Sequence, residues 1–306
     1  MMLHPQAAAY LKMFPTDTGL DLDTVTDEEI VQLRGLDAMA AYRGARADVL
    51  EAADDQVAGI PVRIYRASES AVPLPVLIYF HGGGWVYGTL DRADPLARDL
   101  AVRTGAIVIS VDYRLAPEHP FPAAAEDAWA VVRDVFAHPE RYGADPARIA
   151  VIGDSAGGNL AAVTAWLARD AGLPLAHQVL VYPVTDVAMD TPSYRAYASG
   201  FGLGAAEMAW FIRKYAHGAD PHDPRLSPLH LPDKSGLAPA TVITAECDPL
   251  RDEGRAYADA MEAAGVPVTY RDYPGILHSF FVLPGFFDAA TEARDHITAR
   301  LKEALA

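Results

Sequence analysis

A single cysteine, Cys247, stands among 306 residues, so neither an intrachain disulfide nor a thiolate zinc cluster can form. Long apolar runs are missing too. Nothing approaches the roughly eighteen consecutive apolar residues of a membrane-crossing helix, and Met1 to Phe14 holds one lysine with no apolar run of the signal-peptide kind. The expectation is a cytoplasmic protein without stable membrane association. Positive charge is scarce. Against 41 Asp and Glu there are 25 Lys and Arg, a formal charge of −16, and such a surface repels phosphate backbones, so no nucleic-acid partner is expected. There is no G-x-x-x-x-G-K-S/T nucleotide loop, no HExxH helix, no internal repeat and no low-complexity linker.

What the chain does have is apolar residues, 51% of the total, enough to exclude disorder and to fill one large α/β core. Short β-branched or apolar runs at 60–66, 75–80, 106–112, 149–153, 178–182, 241–245 and 266–270 alternate with helical patterns at 122–136, 156–170, 251–264 and 287–305. That alternation predicts a mostly parallel sheet covered on both faces, whose ligands bind at the carboxyl ends of the strands. Two regions break it. Residues 1–50 read as two helices, the second opened by Thr26 with Glu29 three positions on and continued by Ile30, Leu33, Leu36 and Met39. Residues 184–230 carry a glycine-rich stretch and then Met208, Trp210, Phe211, Ile212 and Tyr215. An insertion where a plain crossover needs one helix divides the chain into a sheet domain, 51–183 and 231–306, and a helical cap made of 1–50 and 184–230.

Two glycine-rich segments lie at predicted strand ends. Gly153-Asp154-Ser155-Ala156-Gly157-Gly158 fits G-x-S-x-G, a serine exposed on a strand-to-helix turn so tight that its neighbours must be small. A serine that only capped the following helix would be the bland alternative. His81-Gly82-Gly83-Gly84-Trp85 argues against it, because glycines there let backbone amides turn inward to receive a developing oxyanion. Gly83, Gly84 and the amide of Ala156 are the expected donors. A phosphate loop of the G-x-G-x-x-G type is excluded by Tyr87.

A serine hydroxyl needs a base, and the base an orienting acid. Asp248 follows the 241–245 strand, although an aspartate before Pro249 is also a good helix start. Asp252 is the second candidate, well explained by the helix dipole alone. His278 falls in a loop beyond the last strand, where a base can change contacts during turnover, whereas His296 lies in the C-terminal helix. His217, Asp220, His222 and Asp223 form a polar turn with Pro221 and Pro224, not an organised metal site. Cys247 reads as a small buried residue.

With these motifs in order, together with Asp112-Tyr113-Arg114-Leu115-Ala116-Pro117-Glu118 and Asp252-Glu253-Gly254, the chain beyond residue 50 resembles the hormone-sensitive-lipase-like carboxylesterases of the α/β-hydrolase superfamily. The resemblance implies an α/β-hydrolase fold under a helical cap, a triad of Ser155, Asp248 and His278, no cofactor and no metal. It implies a small-molecule ester of short to medium acyl chain as substrate and, as in family members that form dimers, a homodimer. His81 and residues 113–118 are then supports of the loop. A non-catalytic ligand-binding protein on the same fold is the alternative from another class, and an amidase or long-chain lipase would use the same triad.

Overall fold

The computed structural model describes residues 2–15 and 22–306, Asp23 by its backbone alone. The first segment gives α1 (Pro5–Met13) and α2 (Asp27–Leu33). Thr26 and Glu29 close the expected capping box, but the helix stops at Leu33 with Gly35 beyond it. Leu36 is therefore 67% exposed instead of continuing an apolar stripe. Arg34, at the helix end, reaches Glu118 and the carbonyls of Val86 and Ala116, and Met39 lines a cleft described below.

Strand β1 (Glu51–Val57) was not expected, because Glu51, Asp54 and Asp55 give it a coil-like composition. It is the edge of the sheet, where charge is cheap and keeps other edges away. Ala58 and Gly59, both at positive φ, turn the chain into β2 (Ile60–Arg66). Across this hairpin Glu51 faces Arg66 and Asp54 faces Arg63, with ion pairs of 2.8 and 2.5 Å. There follow β3 (Leu74–Phe80), α3 (Leu90–Thr104), β4 (Ile107–Val111), α4 (Ala123–Ala137), the short α5 (Pro139–Tyr142), β5 (Ala144–Asp154), α6 (Ala156–Asp170) and β6 (His177–Val181). After the insertion, with α7 (Pro192–Ala196) and α8 (Ala205–Ala216), come β7 (Ala240–Cys247), α9 (Arg251–Ala263), β8 (Val268–Leu277) and α10 (Asp288–Ala304).

The strands form one sheet in the order β1-β2-β4-β3-β5-β6-β7-β8, antiparallel at β1/β2 and β2/β4 and parallel from β4 onward. Alternate residues of β3 feed two cores: Val76, Ile78 and Phe80 join Val131, Leu160 and Tyr257, while Leu77 and Tyr79 join Leu100, Ile297 and Leu301. With both faces covered, β4 and β6 are buried at every position, the polar Ser110, His177 and Gln178 included. The parallel register places the functional segments. Phe80 pairs with Gly153, so His81, just past β3, comes beside Asp154, the last residue of β5, and Cys247 pairs with Leu277, so Asp248 and His278 leave the sheet side by side.

Candidate active site

Between β5 and α6 the backbone reverses at Ser155, whose φ of 57° and ψ of −120° lie outside the regions an L-residue adopts without strain. Its neighbours permit this because they are glycines. A Cβ on Gly153 would run into the Gly157 carbonyl, and one on Gly157 into the carbonyl of Phe80. The Ser155 amide donates to Val181 O (2.9 Å), while its carbonyl receives Asn159 N (3.1 Å). The side chain makes no cap hydrogen bond to α6, which removes the helix-capping alternative. Instead Ser155 Oγ lies 3.0 Å from His278 Nε2. Nδ1 of the same ring is 2.6 Å from Asp248 Oδ2, and Asp248 Oδ1 accepts from Leu250 N at 2.9 Å.

Ser155 and His278 both line the cleft described below, whereas Asp248 lies behind them, fully buried. Asp252, the second candidate acid, receives Ser193 N and pairs with Arg251, away from His278. His296 stays on α10. Cys247 is buried, and burial pushes its thiol up to about 11, unsuited to attack. In the 217–223 turn Asp220 caps His222 N and Asp223 pairs with Arg225.

The loop after β3 folds over the same point. Gly83 and Gly84 sit at φ of 125° and 62°, and a Cβ on Gly83 would strike the Tyr87 carbonyl, so only glycine fits. The Gly83 carbonyl receives Val86 N and Tyr87 N at 3.1 and 2.8 Å. Among the described residues the amides of Gly83 and Gly84 meet no protein acceptor. Ala156, as the first residue of α6, has no intrahelical acceptor for its own amide. His81 supports the loop from beneath. Its ring stacks on Tyr113 at 4.4 Å, its Nδ1 lies 2.9 Å from Gly82 O, and the Tyr113 hydroxyl donates to His81 O at 2.6 Å. Burial holds its imidazole down at about 4, hence neutral.

Several participants went unread in the sequence. Asp154, next to Ser155 in the glycine-rich turn, accepts from Tyr79 Oη (2.8 Å) and Gly82 N (3.2 Å) and so ties the loop to the turn. Burial raises its carboxyl pKa, and the Tyr79 hydrogen bond pulls it part of the way back. Tyr182 packs its ring on His278 at 4.5 Å. Glu253, fully buried, accepts from the amides of Thr185 and Asp186, and burial raises its carboxyl far above the ordinary range. Adjacency to Ser155 could have flagged Asp154; nothing local marks Tyr182.

A cleft of about 510 Å³ opens on Ser155. Tyr10, Phe14 and Met39 from the N-terminal segment and Leu203, Met208 and Phe211 from the insertion are among its lining. No helix among the described residues is long and apolar enough to cross a membrane.

Known proteins agree with this architecture. Residues 77–282 match a family described as alpha/beta hydrolase fold. The chain is 46% identical to carboxylesterase NlhH of Mycobacterium tuberculosis over 82% of this chain and 80% of that one. It is 38% identical to ethyl acetate hydrolase of Pseudomonas putida over the whole of both chains. Among solved structures, an ester-hydrolase from the metagenome of Lake Arreo superposes with a TM-score of 0.92 at 42% identity, covering 99% of each chain. An esterase of Pyrobaculum calidifontis does so at 0.88 and 38%, covering 100% of each. The strand-to-helix serine, the glycine loop beside it and the parallel sheet that carries both place this chain in the hormone-sensitive-lipase-like family of α/β hydrolases.

Proposed function

We propose that this carboxylic ester hydrolase works through an acyl-enzyme formed on Ser155, with short- to medium-chain esters of small molecules as substrates. Ser155 Oγ attacks the ester carbonyl carbon while His278 Nε2 takes its proton. Asp248, bound to Nδ1, fixes the tautomer that leaves Nε2 free to accept and stabilises the imidazolium that results. The carbonyl oxygen, now negative, is received by the amides of Gly83, Gly84 and Ala156, aimed before the charge appears. Collapse breaks the bond to the alcohol, which leaves with the proton from His278. Water then attacks the acyl carbon, giving its proton to His278, and the acid departs as Ser155 recovers its own. Residues 1–50 and 184–230 act as a cap that shapes the cleft around the acyl and alcohol groups. The cytoplasm is the compartment this reading assigns, since a lone buried cysteine asks for no oxidising environment.

The observation that carries the reading is the continuous line from Ser155 Oγ through His278 to Asp248 at 3.0 and 2.6 Å. Nitrophenyl esters from acetate to palmitate test it. Ser155→Ala should lower kcat by about 10⁵-fold and Asp248→Asn by about 10⁴-fold, whereas Asp252→Asn should stay close to wild type. Activity that survives Asp248→Asn but not Asp252→Asn would reverse the assignment of the acid. Wild type and Ser155→Ala equally inactive, with a small ligand still bound, would favour a binding protein.

A further inference from the structure

The cleft is electrostatically uneven. On the wall formed by α3 and residues 37–43 stand two guanidinium groups, Arg43 and Arg92, and both line the cleft. The acid beside them, Asp37, is taken up by Arg43, whose Nε and Nη2 reach its two oxygens at 2.5 and 3.0 Å. Arg92 has only a long approach to Asp37, 3.8 Å, and no side-chain hydrogen bond among the described residues. The other acids of the cleft are engaged elsewhere: Asp154 with Tyr79 and Gly82, and Glu207 with Gly204 N. Burial first, and then the neighbouring Arg43, act against the Arg92 cation, only partly offset by the charges of Asp37 and Asp154. A guanidinium carries five donors in a planar fork matched to a carboxylate. In a chain of formal charge −16, an arginine that lines the cleft with its side chain 31% exposed is short of a hydrogen-bonded partner among the described residues.

Resting on the ester-hydrolase reading, we propose that Arg92, backed by Arg43, is an anion subsite that selects esters bearing a carboxylate on one arm away from the bond being cleaved. Ser155 and His278 line the same cleft as this cationic pair and as the apolar Leu203, Met208 and Phe211. One arm of the ester meets the guanidinium, and the other lies on the apolar side. The carboxylate replaces lost water with charge-assisted hydrogen bonds from the fork.

Two matched pairs of probes read the subsite: 4-nitrophenyl hemisuccinate against 4-nitrophenyl butyrate for the acyl arm, and 4-acetoxybenzoate against phenyl acetate for the alcohol arm. Within each pair the kcat/KM ratio of charged to neutral ester is compared between wild type and variant, so intrinsic reactivity cancels. In Arg92→Gln one of the two ratios should fall about tenfold, the scale of one charge-assisted hydrogen bond, and the loss should appear in KM. Asp37→Asn, which removes the competing acid, should raise the same ratio, and added salt should lower it in wild type. Both ratios unchanged in Arg92→Gln, or a ratio that does not rise in Asp37→Asn, would overturn the proposal. If neither neutral ester is turned over by wild type, the hydrolase reading fails and takes the subsite with it. Neutral turnover without charge selection defeats the subsite alone.

Discussion

The floor and the roof of the cleft are built of different material. On the floor, at the carboxyl ends of β3 and β5, the proposed working parts are backbone: three amides, and a serine set at a φ of 57° by glycines that nothing larger can replace. In the proposed roof, to which the described parts of 1–50 and of 184–230 contribute, the cleft is lined by the side chains of Tyr10, Phe14, Met39, Met208 and Phe211. Backbone geometry tolerates almost no substitution, because one added carbon collides with a carbonyl. An apolar surface tolerates many, since any side chain of about the right volume fills the space. On the proposed mechanism, chemistry therefore resides where the chain is most constrained, and selectivity where it is least.

The sharpest way to break this contrast is to add one carbon to the floor. Gly83→Ala should lower kcat by about 10²- to 10³-fold, the loss typical of one oxyanion donor, with KM nearly unchanged. An equal loss in KM would mean that the loop also shapes ground-state binding.

Acid tests the floor through His81. In the folded chain its imidazole stays neutral down to about pH 4, whereas in the unfolded chain it takes a proton near 6.5. Between those values the unfolded state binds more protons. The contribution is thus complete above pH 6.5, is lost as pH falls through the window, and amounts to about 3 kcal/mol. Urea midpoints measured from pH 7.5 to 4 should fall for wild type and fall less for His81→Gln. Parallel curves would show that His81 is not the titrating support.

The smallest effect is expected in the roof. Phe211→Ala should change the ratio of long- to short-chain ester turnover by less than about tenfold, read from kcat/KM along a nitrophenyl ester series. A loss as large as that of Gly83→Ala would erase the distinction between the two regions.

The same division decides what was legible in the sequence. The glycine segments were readable because backbone function leaves a mark in residue type, and the parallel register then made Asp248 and His278 neighbours simply by pairing Cys247 with Leu277. Helix α6 was read to the residue, and β2 likewise. Helix α3 was not, although Ala93, Leu96, Ala97, Leu100 and Ala101 form its buried stripe, because Pro95 interrupts the pattern. Strand β8 runs to Leu277, past the expected 270, through Pro274 and Gly275, which read as loop residues. Arg34 and Tyr182 were beyond reach: each works through partners distant along the chain, Val86, Ala116 and Glu118 for the first and His278 for the second.

A Cβ placed on Gly84 would strike the ring of Phe211 in α8. Positions 84 and 211 are consequently coupled: the backbone at φ 62° favours glycine at the first, the ring at the second closes the remaining space, and a chimera that borrows α8 from a relative inherits that relative's demand on the loop. Transplanting selectivity between members of this family is then a two-part graft, in which the foreign helix arrives together with whatever occupies position 84 at home.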